Sequence, residues 1–103
     1  MKKNGVVVTR YSNGQLKSES NWEDGHPEGL WAEWYDNGRL KSEYNFKDGK
    51  LDGLTQEWYD DGKLEYEANY KNGKKEGVCK DWNESGKLRF EDNFKNGKLT
   101  YKI

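Results

Sequence analysis

The sequence predicts an all-β fold: an elongated antiparallel β-meander of four 24-residue hairpin repeats, forming a single twisted sheet or an open trough. Three observations lead there. All twelve glycines fall into three columns with a 24-residue spacing: Gly5, Gly29, Gly53 and Gly77; Gly14, Gly38, Gly62 and Gly86; Gly25, Gly49, Gly73 and Gly97. A residue valued for backbone freedom recurs with one period, so the chain is one small unit copied four times. Eight-residue stretches alternate in side-chain character, as half-buried strands do. Glycine turns also interrupt every unit before the ~12 residues that a stable helix needs.

The second copy shows what each segment is for. Leu30 to Tyr35 is a strand rich in aromatics, Asp36-Asn37-Gly38 a turn, and Arg39 to Phe46 an alternating strand. Leu40, Ser42, Tyr44 and Phe46 are expected on one face, with Arg39, Lys41, Glu43 and Asn45 on the other. The same alternation holds in Gln15 to Trp22, Lys63 to Tyr70 and Lys87 to Phe94. A three-residue loop with Gly38 in the left-handed region pairs Tyr35 with Arg39. Continued pairing then sets Trp34 against Leu40, Ala32 against Ser42, Leu30 against Tyr44 and Glu33 against Lys41. The second turn, around Asp48-Gly49, reads as a two-residue hairpin, with Gly53 and its counterparts restoring the strand's phase as a β-bulge. Leu99 to Ile103 reads as a closing strand, and Val6 to Val8 seals the other end. The chain is one domain, 1–103, with units at about 5–28, 29–52, 53–76 and 77–100 and the closing strand at 98–103.

Composition narrows both interior and function. Leu, Ile, Val and Phe supply only 16 of the 103 residues, whereas five tryptophans, seven tyrosines and three phenylalanines carry large burial areas. The interior must be thin and aromatic, under a coat of charged residues that make up 36% of the chain. A net charge of −1 gives nucleic acid no basic stripe to bind and an anionic membrane no polybasic attraction. The single cysteine, Cys79, cannot form an internal disulfide, which suits a reducing, cytoplasmic setting. No segment is long and apolar enough for a signal core or a membrane span.

Catalytic chemistry finds little to stand on. His26, the lone histidine, sits in the turn Asp24-Gly25-His26-Pro27-Glu28 and reads as exposed. Cys79 has no histidine beside it to act as base. No Cys/His cluster or calcium-loop spacing suggests a metal, and no cofactor is expected. The glutamates Glu19, Glu43, Glu67 and Glu91 recur at ~10 Å in such a sheet, too far apart to share an ion. They are expected to accept hydrogen bonds from the next hairpin. An enzyme is therefore not expected.

The repeat resembles a known one. Trp34-Tyr35-Asp36-Asn37-Gly38-Arg39-Leu40-Lys41-Ser42-Glu43-Tyr44-Asn45-Phe46-Lys47-Asp48-Gly49-Lys50 is similar to the variant form of the MORN repeat. Trp58 to Lys74 and Trp82 to Lys98 follow the same frame. Tyr11 to His26 matches more weakly, with Arg10 in place of the tryptophan and His26 in place of the lysine. The resemblance implies a grooved sheet of hairpins used for contact, and among short bacterial proteins an antitoxin or immunity partner of a toxin.

The functional expectation is a protein-binding module that neutralises a toxin by direct binding. A self-associating scaffold is the alternative, with a carbohydrate or lipid binder behind it. The contact residues expected are Trp31, Trp34, Tyr35, Trp58, Tyr59 and Trp82. The partner is a protein rather than nucleic acid or membrane, and a homo-oligomer stays open. Trp34, Trp58 and Trp82 share the leucine face and read mainly as core. Trp31, Tyr35 and Tyr59 emerge on the opposite face among charges, where exposed aromatic rings often mark contacts, and Trp31 reads equally as contact or core.

Overall fold

The computed structural model of the protein describes residues 3–100. Those residues form ten strands and no helix: β1 (Gly5–Arg10), β2 (Leu16–Glu23), β3 (His26–Trp34), β4 (Leu40–Lys47), β5 (Lys50–Leu51), β6 (Gly53–Trp58), β7 (Leu64–Lys71), β8 (Lys74–Trp82), β9 (Leu88–Lys95) and β10 (Lys98–Thr100). They make one antiparallel sheet in chain order, with β5 and β6 both pairing β4 across the break at Asp52. The closing strand is seen as β10, while its expected continuation through Tyr101 and Ile103 lies outside the described residues. The body measures 49 × 34 × 11 Å, a single layer. Its radius of gyration of 15.4 Å exceeds the ~13 Å of a compact domain this size.

Each long turn has the predicted form. The Gly38 N–H donates to the Tyr35 carbonyl at 3.0 Å, and the Tyr35 N–H donates to the Arg39 carbonyl at 2.8 Å. Gly38 has φ 87°, the left-handed conformation that ends a three-residue hairpin loop. The short turns are two-residue hairpins in which both central residues have positive φ, as at Asp48 (52°) and Gly49 (79°). Short Asp or Asn side chains tolerate that region, and glycine completes the turn.

The strand pairing corrects the expected register. Trp34 does face Leu40, but the next pair is Glu33 with Ser42, so Lys41 is an extra residue. Ala32 therefore meets Glu43, Leu30 meets Asn45 and Trp31 meets Tyr44. The expected pairs Ala32–Ser42, Leu30–Tyr44 and Glu33–Lys41 do not form. The same one-residue bulge recurs after Arg10, Trp58 and Trp82. Because side chains alternate with period two, one inserted residue moves everything beyond it to the other face.

The two faces consequently differ from expectation. The front face carries Ser42, Tyr44 and Phe46 with Trp31 and Glu33. The back face carries Leu40 with Trp34, Ala32 and Leu30. Around Gly53 the irregularity is not the phase-restoring bulge expected but a wider one. Phe46 pairs Leu51 and Glu43 pairs Gln56, which leaves two extra residues on the β5–β6 side and keeps the phase unchanged. Asn45 bridges this opening by accepting from the Asp52 N–H and donating its amide to the Leu54 carbonyl.

A sheet one layer thick has almost no interior. Ala32 and Ala68 are its buried apolar residues among those described, and no large side chain is fully buried. Small polar residues are buried instead: Ser20, Ser42 and Thr55. The indole N–H of Trp22 donates to Ser20 Oγ at 2.8 Å, fixing one ring over its own strand. Trp31 Nε1 and Thr55 Oγ1 are buried without a hydrogen-bond partner, a cost of about 1–3 kcal/mol each that packing must outweigh.

Hydrogen bonds along both long edges tie the copies together. At the long-turn edge the Tyr11, Tyr35 and Tyr59 hydroxyls donate to the carbonyls of Trp34, Trp58 and Trp82, at 2.6, 2.5 and 2.6 Å. At the short-turn edge the Asp48 N–H donates to Glu28 and the Gly49 N–H to the Pro27 carbonyl. Asp24 and Gly25 bond in the same way to Asn4 and Lys3, and Asn96 and Gly97 to Glu76 and Lys75. The acceptor that clamps the next hairpin is thus Glu28, Asp52 or Glu76, not the expected Glu19, Glu43 and Glu67 column. Glu67 instead accepts from Gln56 beside it on the back face.

Candidate functional site

The front face gathers rings from neighbouring copies. Trp22 and Trp31 have centroids 5.7 Å apart, Trp31 and Phe46 5.8 Å, and Tyr44 and Phe46 6.4 Å, all tilted. The strand register produces this cluster: Gly29 stands opposite Phe46, leaving room above it that Trp31 partly fills from two residues along β3. Trp31, Tyr44, Phe46 and Leu51 line a shallow, open groove with Glu33 at one end.

One carboxylate, Glu33, lines the groove, and a second, Glu57, reaches its Tyr44. Glu33 accepts a hydrogen bond from Ser42 Oγ at 3.1 Å, and Glu57 accepts one from the Tyr44 hydroxyl at 2.9 Å. Burial and the Glu57 hydrogen bond push the Tyr44 phenol up to about 12. Burial, then the charges of Glu57 and Asp81, raise the Glu65 carboxyl above its ordinary value. Burial and the Glu65 charge likewise raise Tyr35. Burial is the leading cause in all three, and Glu33, Glu57 and Glu65 share this neighbourhood with Lys41.

The back face carries two apolar rows. Trp34, Trp58 and Trp82 pair with Leu40, Leu64 and Leu88 along one side, and all three tryptophans are half-buried. Val6, Leu30, Leu54 and Val78, one from each copy, run along the other side and are 62, 42, 38 and 38% exposed.

These placements sort the predicted contact residues. Trp31 lies on the face opposite Trp34, as expected, but there it joins Tyr44 and Phe46 rather than standing alone among charges. Tyr35 and Tyr59 spend their hydroxyls on the cross-copy bonds described above. Trp34, Trp58 and Trp82 form the back-face row. The fold does not gather all six into one cluster, although Tyr35 and Trp58 line a common pocket. Sequence reasoning passed over Trp22, Glu33, Tyr44 and Phe46 as parts of a site.

Metal ligation has no site among the described residues. No group of three or more His, Cys, Asp or Glu side chains could hold a metal ion. His26 begins β3 with its ring over Gly49, while Cys79 is half-buried on β8 opposite Ala68 and Asp92. Among the described residues no helix is long and apolar enough to cross a membrane.

The hairpin frame decides the kinship. A family model for the MORN repeat variant matches four times, at residues 3–24, 27–48, 51–72 and 75–96. The chain belongs to the MORN repeat variant family. No curated protein matches it significantly. Each MORN match starts within two residues of the beginning of β1, β3, β5 or β8 and ends in the following short turn, so it encloses one long-turn hairpin with its tyrosine or Asn83. The groove lies inside the second match, apart from Leu51, which opens the third.

Proposed function

We propose that this MORN repeat protein is a non-catalytic protein-binding module, and most concretely an antitoxin or immunity protein that occludes a toxin. The observation carrying this reading is the 11 Å thickness with no large side chain fully buried. A sheet with no second layer leaves rings on one face and an aliphatic row on the other in contact with water. Contiguous apolar surface of that kind marks interaction sites. A few such side chains in well-packed contact would supply most of the affinity.

The test is affinity capture from the native host, followed by co-expression of the captured protein with this chain. The expected result is a stoichiometric complex whose partner is toxic alone and harmless when co-expressed. A partner whose activity the complex leaves unchanged would sink the antitoxin reading while keeping the binding module.

A second reading has its own support. β1 pairs only with β2 among the described strands, so a six-residue edge keeps unpaired main-chain groups. Such edges template strand addition, which fits a self-associating scaffold. A concentration-dependent oligomer of the purified protein with no captured partner would favour it.

A further inference from the structure

Copies of the repeat differ in what covers the last aromatic ring of each alternating strand. These rings are Trp22, Phe46, Tyr70 and Phe94, and each stands opposite a glycine. Two residues before that glycine comes a second column: Lys3, Pro27, Leu51 and Lys75. Where it is lysine, the ammonium lies over the ring: Lys3 Nζ is 4.8 Å from the Trp22 centroid, and Lys75 Nζ 4.8 Å from that of Phe94. Lys75 also reaches Tyr66 at 6.0 Å, and Lys17 and Lys41 lie over Tyr11 and Tyr35. The front face therefore repeatedly sets a cation on a ring.

Phe46 and Tyr70 both lack a covering lysine, but Tyr70 is paired with Lys75 on the following strand, and Phe46 has no such neighbour. Its covering position holds Pro27, and the residue paired with it from the following strand is Leu51, so neither side supplies a cation. Among the described residues no lysine or arginine of this chain lies over Phe46, Trp31 or Tyr44. Yet this is where the rings cluster and where Glu33 and Glu57 stand. A cation over aromatic faces is attracted by their negative π-clouds, more strongly as it is desolvated, and a carboxylate beside the rings adds to it.

We propose that the groove formed by Trp31, Tyr44, Phe46 and Leu51 beside Glu33 receives an arginine side chain from the partner protein. Arginine fits better than lysine. A planar guanidinium stacks on a ring while donating in its own plane to a carboxylate, and Glu33 has one oxygen beyond that held by Ser42. The open groove admits a side chain from outside, and the Glu33 carboxylate in its lining complements the charge. The inference rests on the protein-binding reading and names the chemistry of one anchor in it.

The test uses a small probe in place of the partner. N-acetyl-arginine amide is titrated into the whole protein, with side-chain NMR signals of Trp31, Tyr44 and Phe46 as the readout. The neutral citrulline analogue is the control. The expected result is saturable shifts confined to these rings, with the arginine probe about tenfold tighter than the citrulline one. Pro27→Lys restores the arrangement of Lys3 and Lys75, so it should fill the groove from within and abolish the titration. Glu33→Gln should weaken the arginine probe and leave the citrulline probe unchanged. Equal response to both probes, no shift at these rings, or a Pro27→Lys protein that folds and still binds would overturn the proposal. If Pro27→Lys does not fold, the Glu33→Gln titration decides alone. A captured partner with no ring-selective arginine response sinks this inference only; ring-selective binding with no partner sinks the protein-binding reading instead.

Discussion

The Tyr35 hydroxyl donates to the main-chain carbonyl of Trp58, 2.5 Å away and 23 residues further along the chain. Tyr11 and Tyr59 repeat this bond, and Asn83 occupies the same column in the last copy, where its side chain accepts from the Ser85 and Lys87 amides of its own turn. The tyrosines therefore join copies, a task that no residue inside one hairpin can perform.

Tyr35→Phe keeps the ring and removes only that bond. It should cost about 1–2 kcal/mol, because a part-buried carbonyl loses its donor. Urea denaturation checks this, and an unchanged midpoint would show that the phenol bonds do not hold the copies together.

Glu28 accepts the Asp48 N–H at 2.9 Å across the short-turn edge. Glu28→Ala should lose about 1 kcal/mol, whereas Glu28→Gln keeps an acceptor oxygen and most of the stability. Amide exchange at Asp48 gives the direct reading. It should accelerate in the alanine variant well beyond the glutamine one.

Gly49 has φ 79°, and a Cβ there would stand 3.4 Å from the His26 ring; at Gly14, with φ 88°, a Cβ would meet open space. Alanine at either position incurs the left-handed penalty of about 1 kcal/mol. Gly49→Ala should cost more, and His26→Ala should remove the excess in a double-mutant cycle. Equal costs at the two glycines would show that the histidine gives way freely.

The Glu65 carboxyl is raised by burial first, then by Glu57 and Asp81. A carboxyl with a raised folded-state value binds its proton more tightly when folded. Stability is therefore fully present below the ordinary value of 4.5 and declines as pH rises through the folded value. Glu65→Gln should melt higher than the parent at neutral pH, and the gap should close in acid. A gap that persists below that range would assign the effect to packing rather than charge.

Much of this architecture was legible in the chain. The glycine columns marked both turns, and short polar residues such as Asn37 and Asp48 identified turn types confirmed by their hydrogen bonds. The candidate site was harder to read. Arg39 to Phe46 alternates without a visible break, so nothing in that strand signals Lys41 as an added residue. A bulge is defined by the partner strand, and its effect was to send Leu40 to the back and unite Trp31 with Tyr44 and Phe46. The Lys3, Pro27, Leu51 and Lys75 column was visible beforehand, but its meaning needed the lysines seen above their rings.

By itself, the sequence determined the repeat, its hairpins and its thinness, because turn chemistry and period-two patterning act over a few neighbouring residues. Tertiary structure alone decided which side chains share a face, which hydrogen bonds cross between copies and where a ring lacks a cation. The reason is physical: those relations join atoms about twenty residues apart, and a one-residue shift in pairing reverses them while the local pattern stays the same.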